Sequence, residues 1–315
     1  MFSRCICRAV IICASRRTDI PAFHSEWLMN RIRDGYALVR NPVAKNVVHR
    51  VDLTQNNVDL LFLMTKDPRP MIPFLDELAE RGISMGFQIT ITPYGRDVEP
   101  GVPYKADITE AFRTVSRAIG RERVVWRYDP IILGGKFDAK YHQREFDVLC
   151  KELAGYTERC IFSFVEFHEK LREFFENGTL RTAAYEEACG IGRVLSETAE
   201  GTGIELSLCC SEYDLMEYGI RPRGCIDREM MRSLGIPFED MRVPLRRGCG
   251  CVKNIDIGEY DTCDHDCIYC YANRAGAARK RKTYDVCGEM LFDTLKESDT
   301  VTELSPRKNS KITDF

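Results

Sequence analysis

Long apolar runs are missing from this 315-residue sequence. No stretch approaches the ~18 residues that a membrane-spanning helix needs. The opening MFSRCICRAVIICASRR is broken by Arg8 after few apolar residues and turns basic again at Arg16 and Arg17. It lacks the uninterrupted apolar core of a secretion signal and reads instead as a first strand. Charge of one sign is also lacking: a net charge of -3 gives no global pull toward nucleic acid or membrane. Five scattered histidines, at 24, 49, 142, 168 and 265, form no HExxH pair, which disfavours a zinc hydrolase site. No Walker A sequence is present and no GxGxxG follows a predicted strand, which disfavours nucleotide sites of those kinds. No internal repeat is evident.

Cysteine, by contrast, is abundant: fifteen residues, an odd number. A chain with neither signal nor span is expected in the cytoplasm, where thiols stay reduced and clustered cysteines point to metal before disulfide.

At this length the chain can bury a barrel-sized core. Its first two thirds alternate β-type runs with helical patterns. Strands are predicted at 9–15, 46–53, 59–65, 84–92, 123–129, 160–167 and 204–210, and helices at 21–33, 106–119, 138–154 and 182–200, with a proline-opened helix after Pro70. Such alternation implies βαβ units and a mostly parallel sheet, best closed as a TIM-like βα barrel, complete or partial, with a doubly wound open sheet as the alternative. The barrel body is expected over 1–245 and a cysteine-rich metal-binding segment packed on it over 246–285. A polar tail covers 286–315, expected to lack order from about residue 296.

In βα barrels chemistry gathers where strands end. The predicted ends here are polar: Ser15, Arg16, Arg17, Thr18 and Asp19; then Lys66 and Asp67; Thr90, Thr92 and Tyr94; Arg127, Tyr128 and Asp129; Ser163 and Glu166; Cys209, Cys210 and Glu212. Several have plain alternatives. Thr18 or Asp19 before Pro21 suits a helix N-cap, and Arg127 with Asp129 suits a structural ion pair. Together they predict a charged cavity in which Arg16, Arg17, Lys66 and Arg127 suit a carboxylate or phosphate. Arg127, Asp129 and Glu166 are the candidate catalytic residues.

The segment YDTCDHDCIYCYAN sets Cys263, Cys267 and Cys270 in a C-x3-C-x2-C run. Thiolates suit iron–sulfur clusters, zinc or copper(I), and one compact run of three resembles the runs that hold a [4Fe–4S] cube more than paired zinc knuckles. Three protein ligands would leave one iron open. Buried cysteines on a helical stripe are the alternative, opposed by the charged Asp264, His265 and Asp266. Cys249 and Cys251, in GCGC, are further candidate ligands: a fourth ligand to the same cluster or, with Cys209, Cys210 or Cys225, a second cluster or a zinc site. Cys5, Cys7, Cys13, Cys150, Cys160, Cys189 and Cys287 read as core or incidental.

The cysteine run resembles the signature of the radical S-adenosylmethionine superfamily, CxxxCxφC with an aromatic φ, here Tyr269. That resemblance implies a [4Fe–4S] cluster on Cys263, Cys267 and Cys270, S-adenosylmethionine bound at the open iron, and a 5′-deoxyadenosyl radical from its reductive cleavage. It covers about a dozen residues. The superfamily places its cysteine loop after the first strand, whereas this one follows the last, and no Gly-Gly-Glu stretch is present; a permuted ring would bring the loop beside strand one. Nearly the full length resembles a largely uncharacterised bacterial family, domain of unknown function 1848, through SRRTDIPAF, TKDP, QITITPY, WRYDP, SFVEF and the terminal cysteine pattern.

These readings converge on a cytoplasmic iron–sulfur enzyme of the radical S-adenosylmethionine type, acting on a small-molecule substrate and drawing on an electron donor. Tyr269, Arg16, Arg17 and Lys66 are its candidate cofactor contacts. The alternatives are an electron-transfer or binding protein with a four-cysteine cluster and a zinc-stabilised barrel hydrolase. Nucleic acid, through the basic run at 278–282, is not favoured.

Overall fold

The computed structural model describes residues 9–239, 248–274, 276–277 and 284–304. Cys5, Cys7, the basic run at 278–282 and residues 305–315 lie outside the described residues.

The chain is a mixed α/β protein. Its main sheet has eight strands: β1 (Ile11–Ala14), β4 (Leu60–Thr65), β5 (Met85–Thr90), β6 (Val124–Ile131), β7 (Arg159–Phe164), β8 (Glu205–Leu208), β9 (Arg221–Pro222) and β10 (Ile255–Asp256). The order is β10-β1-β4-β5-β6-β7-β8-β9 and every ladder is parallel. Consecutive parallel neighbours require crossovers, supplied by α3 (Leu75–Glu80), α4 (Lys105–Ile119), α5 (Ala139–Leu153) and α7 (Tyr185–Ala199).

Strand periodicity sorts side chains onto two faces. Ile12 and Ala14, Leu61 and Leu63, Phe87 and Ile89, Trp126 and Tyr128 join the core beneath the helices, where α4 sets Ile108, Phe112 and Val115, and α5 Phe146, Leu149 and Leu153. The alternate residues Ile11, Cys13, Leu60, Phe62, Met64, Val125 and Ile161 form a second core with Met230 and Met231 of α8 (Arg228–Ser233) and with Cys225, Ile226, Cys251 and Val252. Gly86 leaves room in it, since a Cβ there would meet Phe62 at 2.9 Å.

Among the described residues no ladder joins β9 to β10. The chain just beyond β9 nevertheless packs on the chain leading into β10. Val252 N–H donates to the Ile226 carbonyl at 2.9 Å, and a Cβ on Gly224 would lie 2.5 Å from the Cys251 nitrogen. Residues from both sheet edges thus share one core.

The strand predicted over 46–53 forms as β3 (Val47–Asp52), outside the main sheet: it pairs antiparallel with β2 (Tyr36–Arg40) and parallel with β11 (Thr300–Leu304). β11 falls in the tail expected to lack order. Backbone pairing to β3 and the Arg40–Asp299 ion pair at 2.6 Å hold it, and neither depends on an apolar pattern. The helix predicted at 21–33 is two helices, α1 (Ile20–Phe23) and α2 (Ser25–Asp34), broken at His24. Among the described residues no helix is long and apolar enough to cross a membrane.

Candidate functional site

The inward-facing period of the strands delivers polar groups at or just past their C-terminal ends. Cys13 is followed by Ser15, Met64 by Lys66, Gly86 by Gln88 and Thr90, Val125 by Arg127 and Asp129, Ser207 by Cys209. Ser15, Lys66, Gln88, Thr90, Arg127, Asp129 and Cys209 line a cavity of about 560 Å3 at the C-terminal ends of the strands, together with the cysteine loop.

The loop over 262–273 closes one wall. Asn273 shapes it: its Oδ1 accepts from Thr262 N at 2.7 Å and Cys263 N at 3.0 Å, and its Nδ2 donates to the Arg17 carbonyl at 3.0 Å. Asp19 caps α1 through Ala22 N (3.0 Å), accepts from Lys66 N (2.7 Å) and pairs with buried His265 at 2.8 Å. The cap expected from sequence is there, and the same carboxylate also ties two loops to the cysteine run. The chain over 95–104 holds the other side. Gly101 N donates to the His265 carbonyl and Ile268 N to the Val98 carbonyl, and a Cβ on Gly101 would lie 2.3 Å from the Asp264 carbonyl oxygen.

Cys263, Cys267 and Cys270 all line the cavity, in a loop and not on a helical stripe. Among the described residues no hydrogen bond joins one of these sulfurs to another. Burial pushes the Cys263 thiol up, and it pushes Cys267 up to about 12 despite the nearby Lys66.

Behind Cys267 lies a buried charge cluster. Glu99, 1% exposed, pairs with Lys66 at 2.8 Å and with Lys105, and accepts from Thr92 (2.7 Å) and the Tyr269 hydroxyl. Burial alone would raise its pKa, but Lys66 and Lys105 hold the carboxyl down to about 2. Lys66 also sits 5.5 Å over the Tyr269 ring, so both are cavity residues fixed by Glu99.

Five more thiols line the same cavity. Cys209 and Cys210 follow β8, Cys225 follows β9, and Cys249 and Cys251 precede β10. Cys209 Sγ lies 3.8 Å from Cys225 Sγ. Beyond that pair, neighbouring thiols shift one another's acidity: Cys225 with Cys251, Cys251 with Cys249, Cys249 with Cys210 and Cys210 with Cys209. Two cations touch this ring: Arg127 Nη1 donates to Cys225 Sγ at 2.9 Å and Arg16 Nη2 to Cys251 Sγ at 3.7 Å. Thiol donors at Cys209 and Cys251, then Arg127 and Arg16, hold the Cys225 thiol well below its ordinary range. All described cysteines are free thiols. Among the described residues no group of three or more Cys, His, Asp or Glu is arranged to hold a single metal ion.

Of the remaining candidates, Arg127 bonds Asp129 through Nε at 2.9 Å, and Asp129 accepts from Ser163. Arg16 bonds Asn254 at 2.7 Å; Arg17 reaches the Gly258 carbonyl and covers the Tyr260 ring at 5.6 Å. Glu166 is exposed on the loop after β7 and lies outside the cavity lining. Sequence reasoning passed over Glu99 and Gln88. Among the described residues the Gln88 Oε1 and Thr18 Oγ1 atoms, buried in the cavity wall, have no hydrogen-bond partner. A buried amide without a partner costs stability unless something binds it, so these atoms mark room for a polar ligand.

Fold and site define a parallel α/β protein with a thiol-lined cavity at its strand ends. The family model described as domain of unknown function (DUF1848) matches residues 11–272. The chain belongs to that family. No curated protein matches it. Among solved structures, one described as inhibition of the pneumococcal virulence factor StrH, with insights into N-glycan recognition and hydrolysis, is 9% identical over 75% of this chain, with a TM-score of 0.28. The match spans 64% of that chain, and at this score it carries no argument.

Proposed function

We propose that this protein is a cytoplasmic iron–sulfur enzyme of the radical S-adenosylmethionine type, with a [4Fe–4S] cluster on Cys263, Cys267 and Cys270 and a small-molecule substrate in the strand-end cavity. One observation carries the reading: three thiols not bonded to one another line a polar cavity that also holds the orphaned Gln88 and Thr18 oxygens. A four-iron cube sets its thiolates farther apart than the ligands of a single ion, so a trio free of sulfur–sulfur bonds suits it.

A cluster there would supply one-electron reduction and an open iron corner for the methionine end of S-adenosylmethionine. The chain's own residues orient and shield. Arg16 and Arg17 offer cations to the cosubstrate carboxylate, Gln88 offers an amide, and Tyr269, fixed by Glu99, packs beside the thiols. Arg127 and Asp129, already an ion pair, face the substrate end. We further infer that the sheet is a TIM-like barrel closed through the Gly224–Cys251 contact, because residues from both edges share the inner core. Closure sets the late cysteine loop beside β1, as a permuted ring requires.

The test is anaerobic purification with iron and sulfide counts, then addition of reductant and S-adenosylmethionine. About four irons and four sulfides assigned to the trio, with 5′-deoxyadenosine released, support the reading. A trio that binds zinc alone, or a cluster that releases no 5′-deoxyadenosine, overturns it.

A further inference from the structure

We propose that Cys209, Cys210, Cys225, Cys249 and Cys251 form a second thiolate centre, separate from the 263–270 loop, in which four of the five sulfurs bind a thiophilic metal. The first support is convergence. These residues come from three chain segments and pack into one cluster, in which the Cys209 and Cys225 sulfurs lie 3.8 Å apart. Cysteines that merely fill a core look different here: Cys13 packs with the Met64 sulfur, and Cys150 meets a threonine hydroxyl. Five of the thirteen described thiols falling in one ring is not how core filling distributes them.

The second support is distance. Cys209 and Cys225 stand 3.8 Å apart, and metal–sulfur bonds of about 2.3 Å in a tetrahedron give sulfur edges of about 3.8 Å. The ring is open in this structure, with no three groups yet around one ion. Cys210 and Cys249 are half-buried, and rotation between staggered χ1 wells is the movement that closes it.

The third support is backbone and charge. Gly224 and Gly250 let two chains touch beside Cys225 and Cys251, where a Cβ on Gly224 would lie 2.5 Å from the Cys251 nitrogen. Cys210 holds a positive φ of 49°, an uncommon conformation that sets its thiol beside Cys209. Arg16 and Arg127 supply positive charge against a tetrathiolate, which is net negative with zinc or with an oxidised four-iron core. Zinc and a second cluster share this ligand chemistry, and sulfide content separates them.

The experiment measures zinc, iron and sulfide in the full chain purified without oxygen, in the triple variant Cys263→Ala, Cys267→Ala, Cys270→Ala, and in the double variant Cys209→Ser, Cys225→Ser. The triple variant is expected to keep about one metal centre per chain: zinc without sulfide for a single ion, iron with equal sulfide for a cluster. The double variant loses that share and keeps the remainder. Should the double variant not fold, the half-buried Cys210→Ala and Cys249→Ala proteins are expected to give up the same metal to a chromophoric chelator at least about tenfold faster than wild type. A folded triple variant without metal overturns the proposal, as does a ring variant with the full metal content or a Cys209–Cys225 disulfide in the anaerobic protein. Because the triple variant has no 263–270 ligands, its metal content speaks to the ring whatever becomes of the first site.

Discussion

The trio at 263, 267 and 270 and the ring at 209, 210, 225, 249 and 251 face the same cavity and are built in opposite ways. The trio comes from one continuous loop, with no sulfur hydrogen-bonded to another among the described residues, and is held by Asn273 from within and by Asp19 and Glu99 from outside. The ring is assembled from three segments whose cysteines pack together, with Cys209 and Cys225 sulfurs 3.8 Å apart, and whose charge is met by arginines. A single loop fixes thiol spacing through local backbone geometry and can leave a coordination corner open. Separate segments fix it only once the fold has formed, which suits a closed site that ties sheet edges together.

The largest expected effect separates the two groups outright. Cys267→Ala should abolish 5′-deoxyadenosine formation and remove about four irons per chain while the ring's metal stays, as element analysis would reveal.

Next comes the support beneath the trio. Glu99→Gln takes the carboxylate from the partly buried Lys66 and Lys105, a loss of about 3 kcal/mol in urea unfolding. Its pH signature has a definite sign. The folded carboxyl sits at about 2 against an ordinary 4.5, so its stabilisation is complete above 4.5 and fades as pH falls from there through 2. Wild type should lose stability across that window, and Glu99→Gln should lack that share of the acid slope.

Gly258→Ala tests the β1 side. Its new Cβ would fall 2.0 Å from Ser15 Oγ, which bonds Asp256 at 2.6 Å, and overpacking there should cost about 1–3 kcal/mol while weakening the Arg16 wall shared by both thiol groups.

Gln88→Leu removes an oxygen that no described residue satisfies. Stability should hold or rise slightly in thermal unfolding, while S-adenosylmethionine affinity falls about tenfold, roughly 1.4 kcal/mol. The smallest effect is expected at Glu166→Gln: within about 0.5 kcal/mol in stability, and no change in turnover, since Glu166 is exposed outside the cavity.

β1 and β4 to β8 were legible because buried parallel strands read as largely apolar runs, as Leu60–Thr65 does, whereas β9 and β10, two residues each, left no run to read. The trio was legible because its cysteines lie within eight residues. The ring was readable only as a set of cysteines: its members span more than forty positions and no spacing rule joins them, so contact had to come from the fold. Glu99 left no trace because its loop carries no motif, and its role depends on lysines at positions 66 and 105. Gln88 was hidden inside an apolar strand, where only the inward period marks it. β11 was missed because pairing at a sheet edge draws on backbone groups and leaves a polar sequence unmarked.

The most direct measurement is electron-spin resonance of the reduced protein, recorded with and without S-adenosylmethionine. A cluster signal that shifts on addition, in wild type and in the ring variant but not in Cys267→Ala, is the predicted result. A cluster signal indifferent to S-adenosylmethionine, or one that survives Cys267→Ala unchanged in the same protein, contradicts the account.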